Sequence, residues 1–117
     1  FGDERARTQA GINSAVKALA DGFVLSAPVA RLDPNPWGLY DVLGNVWECT
    51  ADWRGPYGTT PVLDPRGPEN GVGRVYRGGA YRHGPDLVRA AYRFSGDPFS
   101  ALDDLGLRVA ADVPTPP

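Results

Sequence analysis

Three short stretches of the chain have the hydrophobic pattern of β-strands. Residues 45–53 (NVWECTADW) are rich in aromatic and β-branched side chains and lie between Gly44 and the turn-forming sequence RGPYG. Residues 74–79 (RVYRGG) resume this character. Residues 105–110 alternate Leu, Leu and Val with Gly, Arg and Ala, which is the period of a half-buried strand. The pattern therefore predicts strands that lie far apart in the sequence.

The first 30 residues contain only a weak helical pattern. Ala15, Val16 and Leu19 have helical spacing, but Gly11 and Asn13 interrupt the pattern just before them. Any helix in this part of the chain is therefore predicted to be short.

Long connections separate the predicted strands. Residues 32–38 (LDPNPWG) place two prolines around an asparagine, which predicts a turn. Residues 54–73 are mostly Pro, Gly and polar, which predicts a connection on the surface. We expect residues 1–112 to form a single domain and residues 113–117 (VPTPP) to form a tail.

The composition agrees with one small, loop-rich domain. The chain has 117 residues, of which 15 are Gly and 12 are Pro. A net charge of −2 provides no basic surface for nucleic acid. No apolar stretch approaches the roughly 20 residues that a membrane-spanning helix needs, so we expect no membrane insertion. The single cysteine, Cys49, excludes an internal disulfide. The compartment and the oligomeric state stay open.

Four separated motifs occur in a characteristic order. They are NPWGLYDVLGNVWECTADW (35–53), RVYRGGAY (74–81), RAAYR (89–93) and GLR (106–108). In sequence and order they resemble the formylglycine-generating-enzyme type of C-type-lectin-like domain, over roughly residues 21–110. The resemblance implies an α+β, loop-rich fold with little regular secondary structure. It also implies that this chain corresponds to the carboxyl-terminal part of the family domain.

The large aromatic residues and the arginines are expected to build the scaffold. Burial of aromatic rings supplies much of the apolar driving force in so small a core. We expect this for Trp37, Tyr40, Trp47 and Trp53. Arginine side chains hold loop carbonyls and carboxylates with a fixed fork of donors. We expect this for Arg77, Arg89, Arg93 and Arg108.

The resemblance implies two calcium sites of structural type. Each combines side-chain oxygens with main-chain carbonyls, as hard cations prefer. The first set is Asp41, Gly44, Val46 and Glu48, and the second is Asn13, Ser14, Asp21 and Phe23. For the first set the alternative is that Asp41 caps a turn and Glu48 pairs with an arginine.

The catalytic cysteines of the family's name-giving enzyme have no counterpart here. The resemblance places its two copper-holding cysteines at positions that read His83 and Val88 in this chain. Without thiolates there is no soft ligand set for copper and no thiol for redox chemistry, so we expect no copper. Cys49 is expected to be a small buried residue, and nothing in the spacing of His83, Ser95 and Asp97 orients them as a triad. The chain is therefore not expected to be an enzyme.

Residues 77–108 resemble the variable segment of proteins diversified by retroelements. In that family a fixed frame holds positions whose codons are mutated at adenines. An AAC codon mutated in this way cannot encode Lys, Glu, Gln, Met or Trp, and none of these occurs between Ala80 and Leu105. The matching fixed residues are Arg77, Gly78, Gly79, Arg89, Ala90, Arg93, Gly106 and Arg108.

The resemblance implies a displayed surface that binds a ligand. We expect a protein ligand, since Tyr, Phe and Arg anchor protein interfaces. The expected exposed, ligand-facing residues are Tyr81, Arg82, His83, Leu87, Tyr92, Phe94, Ser95, Phe99, Ser100, Leu102, Asp103 and Asp104. The alternative is a non-variable binding or regulatory domain attached to a larger enzyme.

Overall fold

The computed structural model of the chain describes residues 22–111. Within this range there are four strands, β1 (Trp47–Trp53), β2 (Arg74–Arg77), β3 (Phe94–Gly96) and β4 (Leu105–Leu107), and no helix. Turns and irregular segments connect them. The strand-poor, loop-rich architecture confirms the expected fold class, whereas the short helix suggested by Ala15, Val16 and Leu19 falls outside the described residues. No helix in residues 22–111 could span a membrane.

The four strands form one sheet in the order β3-β2-β1-β4. β1 and β2 are antiparallel, with Cys49 opposite Tyr76, and β2 is antiparallel to β3. β4 runs parallel to β1, with Trp47 opposite Leu105. The sequence pattern predicted β1, β2 and β4. β3 was not predicted, because three residues that include a glycine carry no recognisable period.

The core lies on one face of the sheet. Trp47, Tyr76 and Ala80 are 4%, 1% and 0% exposed, and partly buried Cys49, Tyr92 and Leu105 pack against them. The expected burial is therefore confirmed for Trp47, and the position of Cys49 beside the core agrees with a packing role.

Burial of the other aromatic residues was predicted less well. Trp37 is 85% exposed and Tyr40 is also exposed, while Trp53 is half-buried. Trp37 lies in the predicted turn, where the Asn35 side chain accepts hydrogen bonds from the main-chain N–H groups of Trp37 and Leu39. This turn holds Trp37 away from the core.

The strand at residues 105–110 is shorter and more exposed than its alternation predicted. Leu105 packs on the core, but Leu107 and Val109 are largely exposed. β4 is an edge strand that ends at Leu107, so the later positions have no neighbouring layer to cover them.

Candidate ligand-binding surface

The segment between β2 and β4 begins with a glycine pair that only glycine can form without strain. Gly78 and Gly79 have φ values of 88° and 80°, in the left-handed region. A Cβ atom on Gly79 would lie 2.6 Å from Cγ2 of Val88. The pair therefore turns the chain sharply and brings the start of the segment against its own later residues.

The rest of the fold holds the segment through its main chain. Arg77 donates from Nη1 to the carbonyl oxygen of Tyr92 and from Nη2 to that of Ala90, both at 2.8 Å. The N–H of Tyr81 donates to the carbonyl oxygen of Asn45 at 2.7 Å. None of these bonds depends on which side chain the segment carries.

Three further contacts act in the same way. The N–H of Trp47 donates to the carbonyl oxygen of Asp104 at 2.7 Å. The hydroxyl of Tyr76 donates to the carbonyl oxygen of Asp97 at 3.0 Å. Nη1 of Arg54 donates to the carbonyl oxygen of Arg93 at 3.1 Å. We call the five residues that make these anchoring contacts the frame: Asn45, Trp47, Arg54, Tyr76 and Arg77.

The expected scaffolding role of the arginines is confirmed at the remaining three positions. Arg89 donates to the carbonyl oxygen of Asp86, and Arg93 to that of Gly55. Arg108 donates to Glu48 and to the carbonyl oxygen of Tyr40. Arginine therefore satisfies loop carbonyls that no strand pairing reaches.

Two residues of the expected ligand-facing set are buried, so the expectation that they are exposed is wrong. Tyr81 is 4% exposed and Asp104 is 6% exposed. Both are fixed by contacts with Arg82, whose Nη2 donates to the Tyr81 hydroxyl at 2.7 Å and whose Nε lies 3.2 Å from Asp104 Oδ2. Tyr81 and Asp104 thus support the surface rather than forming it.

The other ten residues of the set reach the surface to different degrees. Phe94, Phe99, Leu102 and Asp103 are exposed. The half-buried ones are Arg82, His83, Leu87, Tyr92, Ser95 and Ser100. Ser95 follows Phe94 in β3, so its side chain points to the opposite face of the sheet.

Trp47 forms the base on which part of the set comes together. Its ring centroid lies 5.1 Å from that of His83, 5.7 Å from that of Phe94 and 6.1 Å from that of Tyr92. Burial lowers the pKa of His83 below its usual value, so the neutral ring is favoured in this cluster.

Beside this cluster, Arg82 also pairs with Asp103, with 2.6 Å between Nη2 and Oδ1. Seven residues of the expected ligand-facing set either contact Trp47, form this ion pair or are exposed. We call them the display patch: Arg82, His83, Tyr92, Phe94, Phe99, Leu102 and Asp103.

An apolar cavity of about 490 Å³ lies beside the buried Tyr81. Leu32, Trp37, Leu39 and Leu43 contribute to its lining. Sequence reasoning missed this cavity, because it assigned Trp37 to the core and treated residues 32–38 only as a turn. The one available signal was the concentration of large apolar residues in a stretch rich in turn-forming residues.

Three residues of the first expected calcium set, Asp41, Val46 and Glu48, line a second cavity of about 300 Å³, whereas Gly44 is not part of its lining. Oδ2 of Asp41 accepts a hydrogen bond from the N–H of Ala30 at 2.8 Å, and both oxygens of Glu48 accept from Arg108. The hydrogen bond to Glu48 raises the pKa of Arg108. The alternative roles, a turn contact for Asp41 and an arginine pair for Glu48, are therefore observed.

These roles leave the donor set suitable for a hard cation. Each carboxylate oxygen has a second lone pair, and the charges of Asp41, Glu48 and Arg108 sum to −1. No cluster of three or more His, Cys, Asp or Glu occurs in the described part of the chain, so a cation here would also need main-chain oxygens such as those of Gly44 and Val46. Of the second set, Phe23 is half-buried, and Asn13, Ser14 and Asp21 lie outside the described residues.

Nearly the whole chain matches one known protein family. The sulfatase-modifying factor enzyme 1-like domain matches residues 2–113. The chain belongs to this family. The formylglycine-generating enzyme of Streptomyces coelicolor is 42% identical over 103 residues, which are 84% of this chain and 33% of that enzyme. This member of the sulfatase-modifying factor family thus spans about a third of the length of that relative.

Two solved structures resemble the fold of this family member. Treponema denticola variable protein 1 superimposes with a TM-score of 0.66 at 36% identity, over 71% of this chain and 31% of that one. PvdO from Pseudomonas aeruginosa also gives a TM-score of 0.66, at 28% identity, over 75% of this chain and 34% of that one. The described fold is therefore shared with a variable protein and with PvdO.

Proposed function

We propose that this chain is a ligand-binding variable protein of a diversity-generating retroelement and that the display patch contacts its ligand. The proposal is supported by the likeness to Treponema denticola variable protein 1. In this role the frame keeps the segment in place while the displayed side chains differ between copies of the gene.

The observation that carries the proposal is that the frame bonds to the main chain of the segment. Tyr81, Ala90, Tyr92, Arg93, Asp97 and Asp104 each contribute a main-chain N–H or carbonyl group. Because every residue type offers these groups, apart from the missing N–H of proline, side chains can change without loss of the contacts. A surface built in this way tolerates substitution.

The side chains of the display patch suit a protein ligand. Phe94 and Phe99 are 47% and 92% exposed, and aromatic and arginine side chains are typical anchors of protein interfaces. The ion pair of Arg82 with Asp103 is open to solvent, and charges in such positions steer association more than they add affinity. We therefore propose a protein partner.

Binding rather than catalysis is the proposed activity. The positions that match the copper-holding cysteines of the name-giving enzyme carry His83 and Val88, and Val88 is only 5% exposed. A buried valine offers no ligand for copper and no redox group. The enzymes that this chain resembles are matched over only about a third of their length, so their activity is not carried over.

We also propose that Asp41 and Glu48, with the carbonyl oxygens of Gly44 and Val46, hold a structural calcium ion. Bound calcium would link the carboxylates of Asp41 and Glu48 and would thereby fix the loop that precedes β1. It has no part in contacting the ligand.

Sequencing of the genomic locus tests the proposed function. The expected result is a near-copy of the DNA for residues 77–108 that differs only at adenines and lies close to a reverse-transcriptase gene. Strain copies that differ equally at all four bases, with no such near-copy, would overturn the retroelement proposal. That outcome would favour the alternative of a non-variable binding or regulatory domain on a larger enzyme.

A further inference from the structure

A cavity lined by Val75 and Arg77, whose side chains alternate with that of Tyr76 along β2, concentrates positive charge. It has a volume of about 490 Å³ and lies between β1, β2 and the connection that includes residues 55–68. Arg66, Arg77 and Arg93 line it, with Asp52 as the single acid, so its lining carries a net charge of +2 in a chain whose net charge is −2. We call it the arginine cavity.

The three arginines have donors to spare. Arg77 uses two N–H groups on the carbonyl oxygens of Tyr92 and Ala90, and Arg93 uses one on that of Gly55. Among residues 22–111 the ion pairs involve only Arg82 and Arg108, so no arginine of the cavity has a carboxylate partner there. A guanidinium has five donors in a planar fork that matches an oxyanion.

The walls of the cavity are aromatic and apolar. The guanidinium carbon of Arg93 lies 3.5 Å from the ring centroid of Tyr57, and Trp53 contributes a second ring. Stacking occupies the face of the Arg93 guanidinium and leaves donors at its edge. The volume lies within the range of pockets that bind whole small molecules.

We propose that the arginine cavity binds an oxyanion carried on an aromatic body, with the oxyanion on the arginines and the ring against Tyr57 and Trp53. The site does not rest on the proposed function, although it shares Arg77 with the frame. Tyr76 pairs with Phe94 of the display patch, and strand alternation directs Val75 and Arg77 to the opposite face. Arg66 and Asp52, which the experiment substitutes, belong neither to the frame nor to the display patch, so the two proposals can fail separately.

Isothermal titration calorimetry with phenyl phosphate tests the site. We expect saturable binding that weakens about tenfold in Arg66→Gln, because one charge-assisted contact is lost. Arg66 is exposed and Arg31→Gln is the matched control, since Arg31 is an exposed arginine outside the cavity. We expect Asp52→Asn to strengthen binding, because it removes the repelling carboxylate.

Further ligands separate the two parts of the proposal. Inorganic phosphate is expected to bind more weakly than phenyl phosphate, and phenol is expected not to bind. Absence of saturable phenyl phosphate binding, or equal weakening by Arg66→Gln and Arg31→Gln, would overturn the site. Equal affinity for inorganic and phenyl phosphate would overturn the aromatic part. Unchanged melting temperatures of the variants establish that each result reports binding.

Discussion

Arg77 and Tyr92 are joined through a guanidinium and a main-chain carbonyl, 15 residues apart, at 2.8 Å. The bond joins the end of β2 to the segment between β2 and β4 and does not involve the Tyr92 side chain. Nη2 of the same guanidinium donates to the carbonyl oxygen of Ala90.

Arg77→Lys is expected to lower the free energy of unfolding by about 2 kcal/mol, because one ammonium group cannot reproduce a planar two-pronged contact. Urea denaturation measures this. The exposed Arg31, changed in the same way, is expected to alter stability by less than about 0.5 kcal/mol. Equal effects at the two positions would argue against the frame.

Replacement of Gly79 is expected to be costly. Gly79→Ala forces a side chain into the left-handed region and places Cβ 2.6 Å from Val88, so we expect a loss of about 1–3 kcal/mol. Gly58→Ala is the matched control, because a Cβ there meets nothing within 4 Å. A smaller loss for Gly79→Ala than for Gly58→Ala in thermal unfolding would contradict the described turn.

Stability is expected to fall as the pH drops through the ordinary pKa of histidine. Burial lowers the pKa of His83 in the folded state, so the unfolded chain takes up the proton first. The folding free energy contributed by neutral His83 is complete above a pH of about 6.5 and is progressively lost below it. Urea titrations at pH 7.5 and pH 5.5 measure the change. His83 is the only histidine, and His83→Gln is expected to reduce this pH dependence.

Calcium is expected to raise the melting temperature if the proposed ion site forms. The gain follows from binding to the folded state alone, and it grows with the logarithm of the calcium concentration. Asp41→Asn is expected to abolish it, whereas Asp33→Asn, a change of the same type at an exposed position, is expected to preserve it. If neither calcium nor a chelator changes the melting curve, the proposed calcium site is wrong.

The sequence predicted the parts of the fold that depend on local chemistry. β1 and β2 were predicted because aromatic and β-branched residues lie between turn signals. The arginine contacts were predicted because a guanidinium donates hydrogen bonds to carbonyl oxygens that strand pairing leaves without a partner. Both signals can be read within a few residues.

The missed features depend on contacts between distant parts of the chain. β3 exists because Phe94 pairs with Tyr76, and three residues alone carry no signal for it. Tyr81 and Asp104 are both buried and both contact Arg82, although they lie far apart in the sequence. Trp37 is exposed because the Asn35 turn directs the chain away from the core. Hydrophobicity along the chain cannot show such partnerships.

The unfolding free energy of two variants tests the division between frame and display patch most directly. The first replaces three exposed side chains together, Phe94→Ser, Phe99→Ser and Leu102→Ser, and the second replaces the buried Tyr81 alone, Tyr81→Ser. We predict a loss of less than about 2 kcal/mol for the triple variant and about 3–5 kcal/mol for Tyr81→Ser. A triple variant that is less stable than Tyr81→Ser would contradict it.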